Sequence, residues 1–189
     1  MAHVSKRLLL VVLLCSVPVI AWAYIRPAKV LETFMGVSCT SDEFCTDEPS
    51  RYMEASKLYA NAFQFVASSI GPFNKKPLVV FCASERCYQS FGFKNASAES
   101  IGRFCIVVSP RGWKPYYIRH EMIHQLQTEQ LGLFTMWRKP KWFVEGMAYS
   151  LSEDPRPILA EPFQQYRSQF ETWYRGVGKE RLWDEARRL

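Results

Sequence analysis

The sequence predicts an α+β domain in which two helices carry ionisable side chains to one place beside a small sheet. Three observations lead there. His120-Glu121-Met122-Ile123-His124 lies in a stretch with helical start and stop signals. A second stretch, Trp142 to Tyr149, sets one glutamate among apolar residues. Ahead of both, Leu78 to Cys82 and Arg103 to Val108 read as short buried strands.

Residues 1–25 read as a targeting segment. Lys6 and Arg7 precede an apolar run, Pro18 can break it, and Ala21-Trp22-Ala23 suits cleavage of a signal peptide. Leu8 to Ile25 is also eighteen uncharged residues, just long enough to span a bilayer as a helix. Residues 1–23 are therefore a signal peptide or an N-terminal membrane anchor running over 8–25. With either, residues 24–189 form one domain outside the cytoplasm, periplasmic or extracellular.

Residues 26–48 look irregular, acidic and turn-like from Ser38 onward. Pro49 to Ile70 fits an amphipathic helix with Met53, Ala60, Phe63, Val66, Ala67 and Ile70 inward, ended by Gly71-Pro72. Between the two strands, Glu85 to Phe91 suits a short helix and Gly92 to Gly102 a loop.

The helix over 115–131 opens at Pro115 and closes at Gly132. Positions i and i+4 of a helix sit one above the other, so His120 and His124 can reach one metal ion with Glu121 beside them. Imidazole is a good zinc ligand, and a carboxylate next to a metal-activated water serves as general base in peptide hydrolysis. Ile118, Met122, Ile123 and Leu126 flank the motif, and no charge falls between Glu121 and Glu129. A solvated helix face carries more charge than that.

A catalytic zinc site has three protein ligands, and histidine is nearly exhausted, His3 being the only other. Gln127 and Gln130 stand where a longer H-E-x-x-H-x-x-G-x-x-H motif needs glycine and histidine. The candidate is Glu145, on a helix opened by Pro140 and ended before Asp154-Pro155. Its apolar neighbours make a lone carboxylate costly; the alternative is an exposed glutamate on an amphipathic helix. Gly146 beside it costs a helix about 1 kcal/mol and points to another backbone packed close by. Farther on, Glu161 to Tyr174 carries Phe163, Tyr166, Phe170 and Trp173 at helical spacing, and Lys179 to Leu189 forms a last helix with Leu182 and Trp183 inward.

H-E-x-x-H followed some twenty residues later by Trp142-Phe143-Val144-Glu145-Gly146-Met147-Ala148 resembles the gluzincin metallopeptidases, and most of all the small peptidase-MA-like domains. The resemblance covers roughly residues 77–152. It implies a zincin-like fold: a small sheet on the H-E-x-x-H helix, the Glu-bearing helix antiparallel to it, and C-terminal helices around them. Carried over by motif position, His120, His124 and Glu145 bind Zn2+ and Glu121 is the base. Many members have an acidic residue four positions after the ligand glutamate; here that position is Tyr149, whose hydroxyl is a candidate to orient a zinc histidine. Tyr149 and Tyr166 are candidates for a further oxyanion donor. The resemblance also makes the 103–108 strand the edge that pairs with substrate backbone, an interior strand being the alternative.

The remaining bounds are mild. Net charge is +6, or +4 once Lys6 and Arg7 leave with residues 1–23. The basic residues are scattered, which argues against nucleic acid as a partner. Besides Cys15 there are Cys39, Cys45, Cys82, Cys87 and Cys105, many for a reducing compartment. Two disulfides and one free thiol are expected, with Cys39–Cys45 local and Cys105 meeting Cys82 or Cys87; buried reduced thiols are the alternative. The expected activity is zinc-dependent hydrolysis of peptide or protein substrates. The rival readings are a catalytically inactive zincin-like binding module and an envelope protein whose motif is accidental.

Overall fold

The computed structural model describes residues 31–32 and 35–189, so the targeting segment expected over 1–25 lies outside the described residues. The fold is α+β, with a five-stranded mixed sheet covered by helices. The strands are β1 (Ser38–Cys39), β2 (Phe44–Thr46), β3 (Val79–Phe81), β4 (Ala98–Ile101) and β5 (Cys105–Val108). Their order is β1-β2-β3-β5-β4. β2, β3 and β5 run parallel, while β1 and β4 are antiparallel to their neighbours. The helices are α1 (Tyr52–Ser69), α2 (Glu85–Ser90), α3 (Pro115–Leu131), α4 (Leu133–Met136), α5 (Lys141–Leu151) and α6 (Phe163–Arg188).

Successive strand residues point to opposite faces, and both faces here are covered. Phe44, Val79, Phe81, Ile106 and Val108 face the main core with α1, α3, α5 and α6. Cys45, Val80, Val107 and Cys105 face a smaller cluster with Leu31, Val37 and Tyr88. A sheet buried on both sides reads as continuous apolar runs rather than alternation, which is why β3 and β5 were legible. α3 is the central helix: it buries Ile118, Met122, Ile123, Leu126 and Leu131 among sheet and helices.

Several expectations need correction. The region before Pro49 holds β1 and β2, and the expected 92–102 loop contains β4. These strands are two to four residues long. That is too short for a periodic pattern: β1 and β4 close local hairpins with β2 and β5, Ser100 standing level with Ile106, while β2 needs the distant β3, whose Val79 N donates to the Glu43 carbonyl at 3.0 Å. The sheet edge beside α3 is β4, and β5 is interior, which is the alternative rather than the expectation drawn from the resemblance. On α1 the buried stripe is Ala55, Tyr59, Ala62 and Val66, continuing to Ile70; Met53 and Ala60 are exposed. Tyr59 wins its place because its hydroxyl reaches the Pro77 carbonyl at 3.0 Å. α4 was not expected, whereas the two C-terminal helices were: α6 is broken at Gly178, whose φ of 73° favours glycine.

Cys39–Cys45 is a disulfide across the β1–β2 pair, as expected. The second disulfide is Cys82–Cys87, and Cys105 is the free, buried thiol. Register explains the correction. Val79 lies opposite Ile106, so Cys105 is level with Leu78 and Cys82 sits four residues, roughly 13 Å, along the sheet. Cys87 is nearer because Ser84 caps α2, accepting from Cys87 N at 3.1 Å, and folds the chain back to a Cα–Cα distance of 5.4 Å. Two disulfides are consistent with an exported protein. No helix among the described residues is long and apolar enough to cross a membrane.

Burial pushes the Cys105 thiol up to about 12. In protein lacking residues 1–23, an aromatic disulfide reagent is expected to find no thiol in the native state and one per chain after denaturation. A count of three or more would mean that Cys39–Cys45 or Cys82–Cys87 is reduced.

Candidate metal centre

α3 starts with proline at its first turn and keeps regular geometry to Gly132, so His120 and His124 fall one turn apart on the same face. α5 supplies Glu145 across from them. The two Nε2 atoms are 3.1 Å apart, and each is 3.7 Å from Glu145 Oε2. All three side chains are largely but not fully shielded. Donors held about 2.0–2.2 Å from a small tetrahedral cation stand roughly 3.3–3.5 Å from one another. The observed separations straddle that spacing, and two imidazoles with a carboxylate suit such an ion. The residues present therefore fit a divalent metal.

The position of Glu145 depends on its neighbour. A Cβ added at Gly146 would stand 2.8 Å from Phe170 Cβ and closer still to the Tyr166 carbonyl oxygen. Glycine lets α5 lie directly on α6, the close backbone approach expected from the sequence. Tyr166 contributes that carbonyl contact and does not line the cavity.

The electrostatics follow from three groups meeting. Burial raises the Glu145 carboxyl, but the facing His120 and His124 imidazoles, 3.7 Å away, outweigh it and hold the group well below the usual range. For His124, burial favours the neutral ring, while Glu145, Glu121 and Gln127 together push it up to about 9. Without metal, the cluster is thus an imidazolium against a carboxylate. Raised above its ordinary value of 6.5, His124 stabilises the fold fully below pH 6.5, and that contribution is lost as pH rises through about 9. Glu145, depressed below 4.5, contributes above that value and loses its contribution as pH falls through its lowered folded-state pKa. The metal-free protein is expected to have its highest melting temperature between these limits and to lose stability from pH 6.5 to 9. A flat profile with chelator present would remove the ion pair.

Glu121 is nearly buried, and Ser100 Oγ on β4 donates to its Oε2 at 2.7 Å. Tyr149 packs its ring edge-on against His120, centroids 4.5 Å apart, so it steadies that imidazole by contact. Burial, then the Glu145 charge, raises its hydroxyl. All five residues expected from the sequence, His120, Glu121, His124, Glu145 and Tyr149, line one cavity of about 770 Å³ bounded by β4, α3, α4 and α5.

Three further contributors escaped sequence reasoning. Gln127 is fully buried and accepts from His124 Nδ1 at 2.9 Å while its Nε2 donates to the Val144 carbonyl at 3.0 Å. The available signal was an amide inside an uncharged, apolar helix, since a buried amide needs partners. Ser100 needed β4 to be recognised as a strand. Arg156 enters the cavity from the turn after α5; nothing in its local pattern marks it. A second group, Asp47 with Cys82 and Cys87, also has metal-compatible spacing. Its thiols are joined in a disulfide, and Asp47 accepts from Ala83 N, Ser84 N and Ser84 Oγ. That group is a structural cap. Compared with known proteins, the chain matches no protein-family model, no curated protein and no solved structure.

Proposed function

We propose that the protein is a zinc metallopeptidase of gluzincin type with zincin-like architecture. The observation that carries this is the convergence of His120, His124 and Glu145 beside Glu121 at the floor of one cavity. His120, His124 and Glu145 hold the metal. Zinc bound there supplies a Lewis acid and brings water near ionisation at neutral pH. Glu121 takes the proton of the attacking water and returns it to the leaving amine. Ser100 fixes one oxygen of that carboxylate, so the base cannot swing away. Gln127 and Tyr149 hold the imidazoles from behind and from the side. β4 is the sheet edge along the cavity, so an extended peptide can add to it as a further strand.

A second reading, a zincin-like module that binds metal without turnover, is favoured by Tyr149 standing where an acidic residue is expected. Two measurements separate the readings. The purified protein supplied with zinc is expected to hold about one ion per chain, with clear weakening in Glu145→Ala. Glu121→Gln should keep the ion and lower peptide-library cleavage at least a hundredfold. Zinc bound with no cleavage by either form supports the inactive module; no zinc in either protein leaves a disulfide-held envelope domain.

A further inference from the structure

Arg156 is a charged residue of the cavity wall that several partners hold in place and that has no part in water activation. The Asp154 carboxylate is only 2% exposed, and it clamps the guanidinium: Arg156 Nε donates to Asp154 Oδ1 and Oδ2 at 2.9 and 3.0 Å, and Nη2 also donates to Oδ2. The Arg156 main-chain N–H adds a bond to Oδ1 at 3.0 Å. From α6, Arg167 Nη1 donates to the Arg156 carbonyl at 3.0 Å. Around the guanidinium, the ring centroids of Tyr116, Tyr117 and Tyr149 lie 5.8, 5.4 and 5.8 Å from its central carbon. The side chain nevertheless stays 40% exposed and forms part of the cavity wall.

A guanidinium has five N–H donors in a planar fork. Asp154 takes the Nε hydrogen and one on Nη2, so the Nη1–Nη2 end keeps three N–H groups for a ligand. That end matches the two oxygens of a carboxylate. The clamp also holds the fork in place before a ligand arrives, which removes much of the ordering cost of binding. Tyr149 touches both parties, packing on His120 with one contact and on Arg156 with another. With the Tyr149 centroid 4.5 Å from that of His120 and 5.8 Å from the guanidinium carbon, Arg156 and the His120 ring are no more than about 10 Å apart, a reach of a few extended residues at about 3.3–3.6 Å each.

We infer that Arg156, clamped by Asp154 and collared by three tyrosines, is a carboxylate-recognising subsite of this cavity. It selects peptides that bear a carboxylate a short distance from the bond at the metal centre. This deepens the peptidase reading and rests on it. The carboxylate can come from a free chain terminus or from an acidic side chain.

The test uses three acetylated tripeptides: Ala-Ala-Phe as free acid, the same peptide as amide, and Ala-Glu-Ala as amide. Binding is measured by calorimetry to Glu121→Gln protein, with and without zinc, and with Arg156→Lys or Arg156→Met added. The free acid is expected to bind roughly 10- to 100-fold more tightly than its amide, and that preference should collapse in both Arg156 variants. Tight binding of the Glu peptide as well shows that the subsite takes side-chain acids besides chain termini; its failure confines the subsite to chain termini. Equal binding of acid and amide overturns the inference. So does a preference that survives Arg156→Met, or no binding of the acid at about 10 mM. The acid–amide comparison needs no Arg156 variant, so it stands even if Arg156→Met does not fold. Arg156-dependent acid binding in a protein that cleaves nothing would retire the peptidase and keep the subsite. Cleavage of acid and amide alike would retire the subsite and keep the peptidase.

Discussion

Gly146→Ala is expected to destabilise the protein by about 3 kcal/mol, even though alanine is the better helix former by about 1 kcal/mol. The new methyl meets main-chain atoms of Tyr166 and the Cβ of Phe170, none of which can rotate aside. Relief requires α5 and α6 to separate, and that would open the contact of Phe143 with Phe170 and Trp173. For a domain of this size the loss corresponds to a fall of roughly 6–12 °C in melting temperature. Because Glu145 is the preceding residue, the same displacement shifts its carboxylate relative to His120 and His124. Metal affinity should therefore fall with stability. Ser150→Ala, farther along α5 and less buried, removes only an exposed 3.4 Å bond to Glu171 of α6 and is the control that should move neither appreciably. An unchanged melting temperature in Gly146→Ala would mean that α5 does not lie on α6 as described.

What could be read from the sequence was what short-range chemistry determines. Pro115 and Gly132 bound α3 because a proline fits only the first turn and a helix stops where its periodic pattern does. The i, i+4 histidines then follow from helix geometry alone. Gly146 carried information across the chain, since a mid-helix glycine between bulky residues implied a close neighbour before that neighbour, Tyr166, was known. The misses share another cause. β1, β2 and β4 are two to four residues long, too short to carry a periodic pattern, and β2 in addition needs β3, far along the chain, as its partner. The Cys82–Cys87 bridge depended on a capped turn at Ser84, and the edge position of β4 on strand order. Arg156 and Ser100 belong to the site only once that topology is in place.

Gln127→Leu is expected to lower metal affinity 10- to 100-fold while leaving all three proposed ligands in place. The orientation of the Gln127 amide is fixed by chemistry: the Val144 carbonyl can only accept, so the 3.0 Å contact must come from the NH2 group. The amide oxygen then faces His124 Nδ1 at 2.9 Å, which must carry a proton. With Nδ1 protonated, the lone pair of the neutral ring lies on Nε2, the atom directed at His120 and Glu145. One buried side chain thus selects the ligating tautomer and ties α3 to α5. Leucine of similar volume removes both bonds and leaves the His124 Nδ1–H unpaired, while the Val144 carbonyl keeps only its bond within α5, at a cost of roughly 1–3 kcal/mol in stability. Gln127→Glu discriminates the two roles: its carboxylate can still accept from Nδ1 but cannot donate to Val144. It should recover much of the metal affinity without recovering stability. Competition against a chromophoric chelator reads the first quantity and thermal unfolding with chelator reads the second. If Gln127→Leu binds metal as tightly as the parent, the tautomer is set by some other group and Gln127 is only a strut between helices.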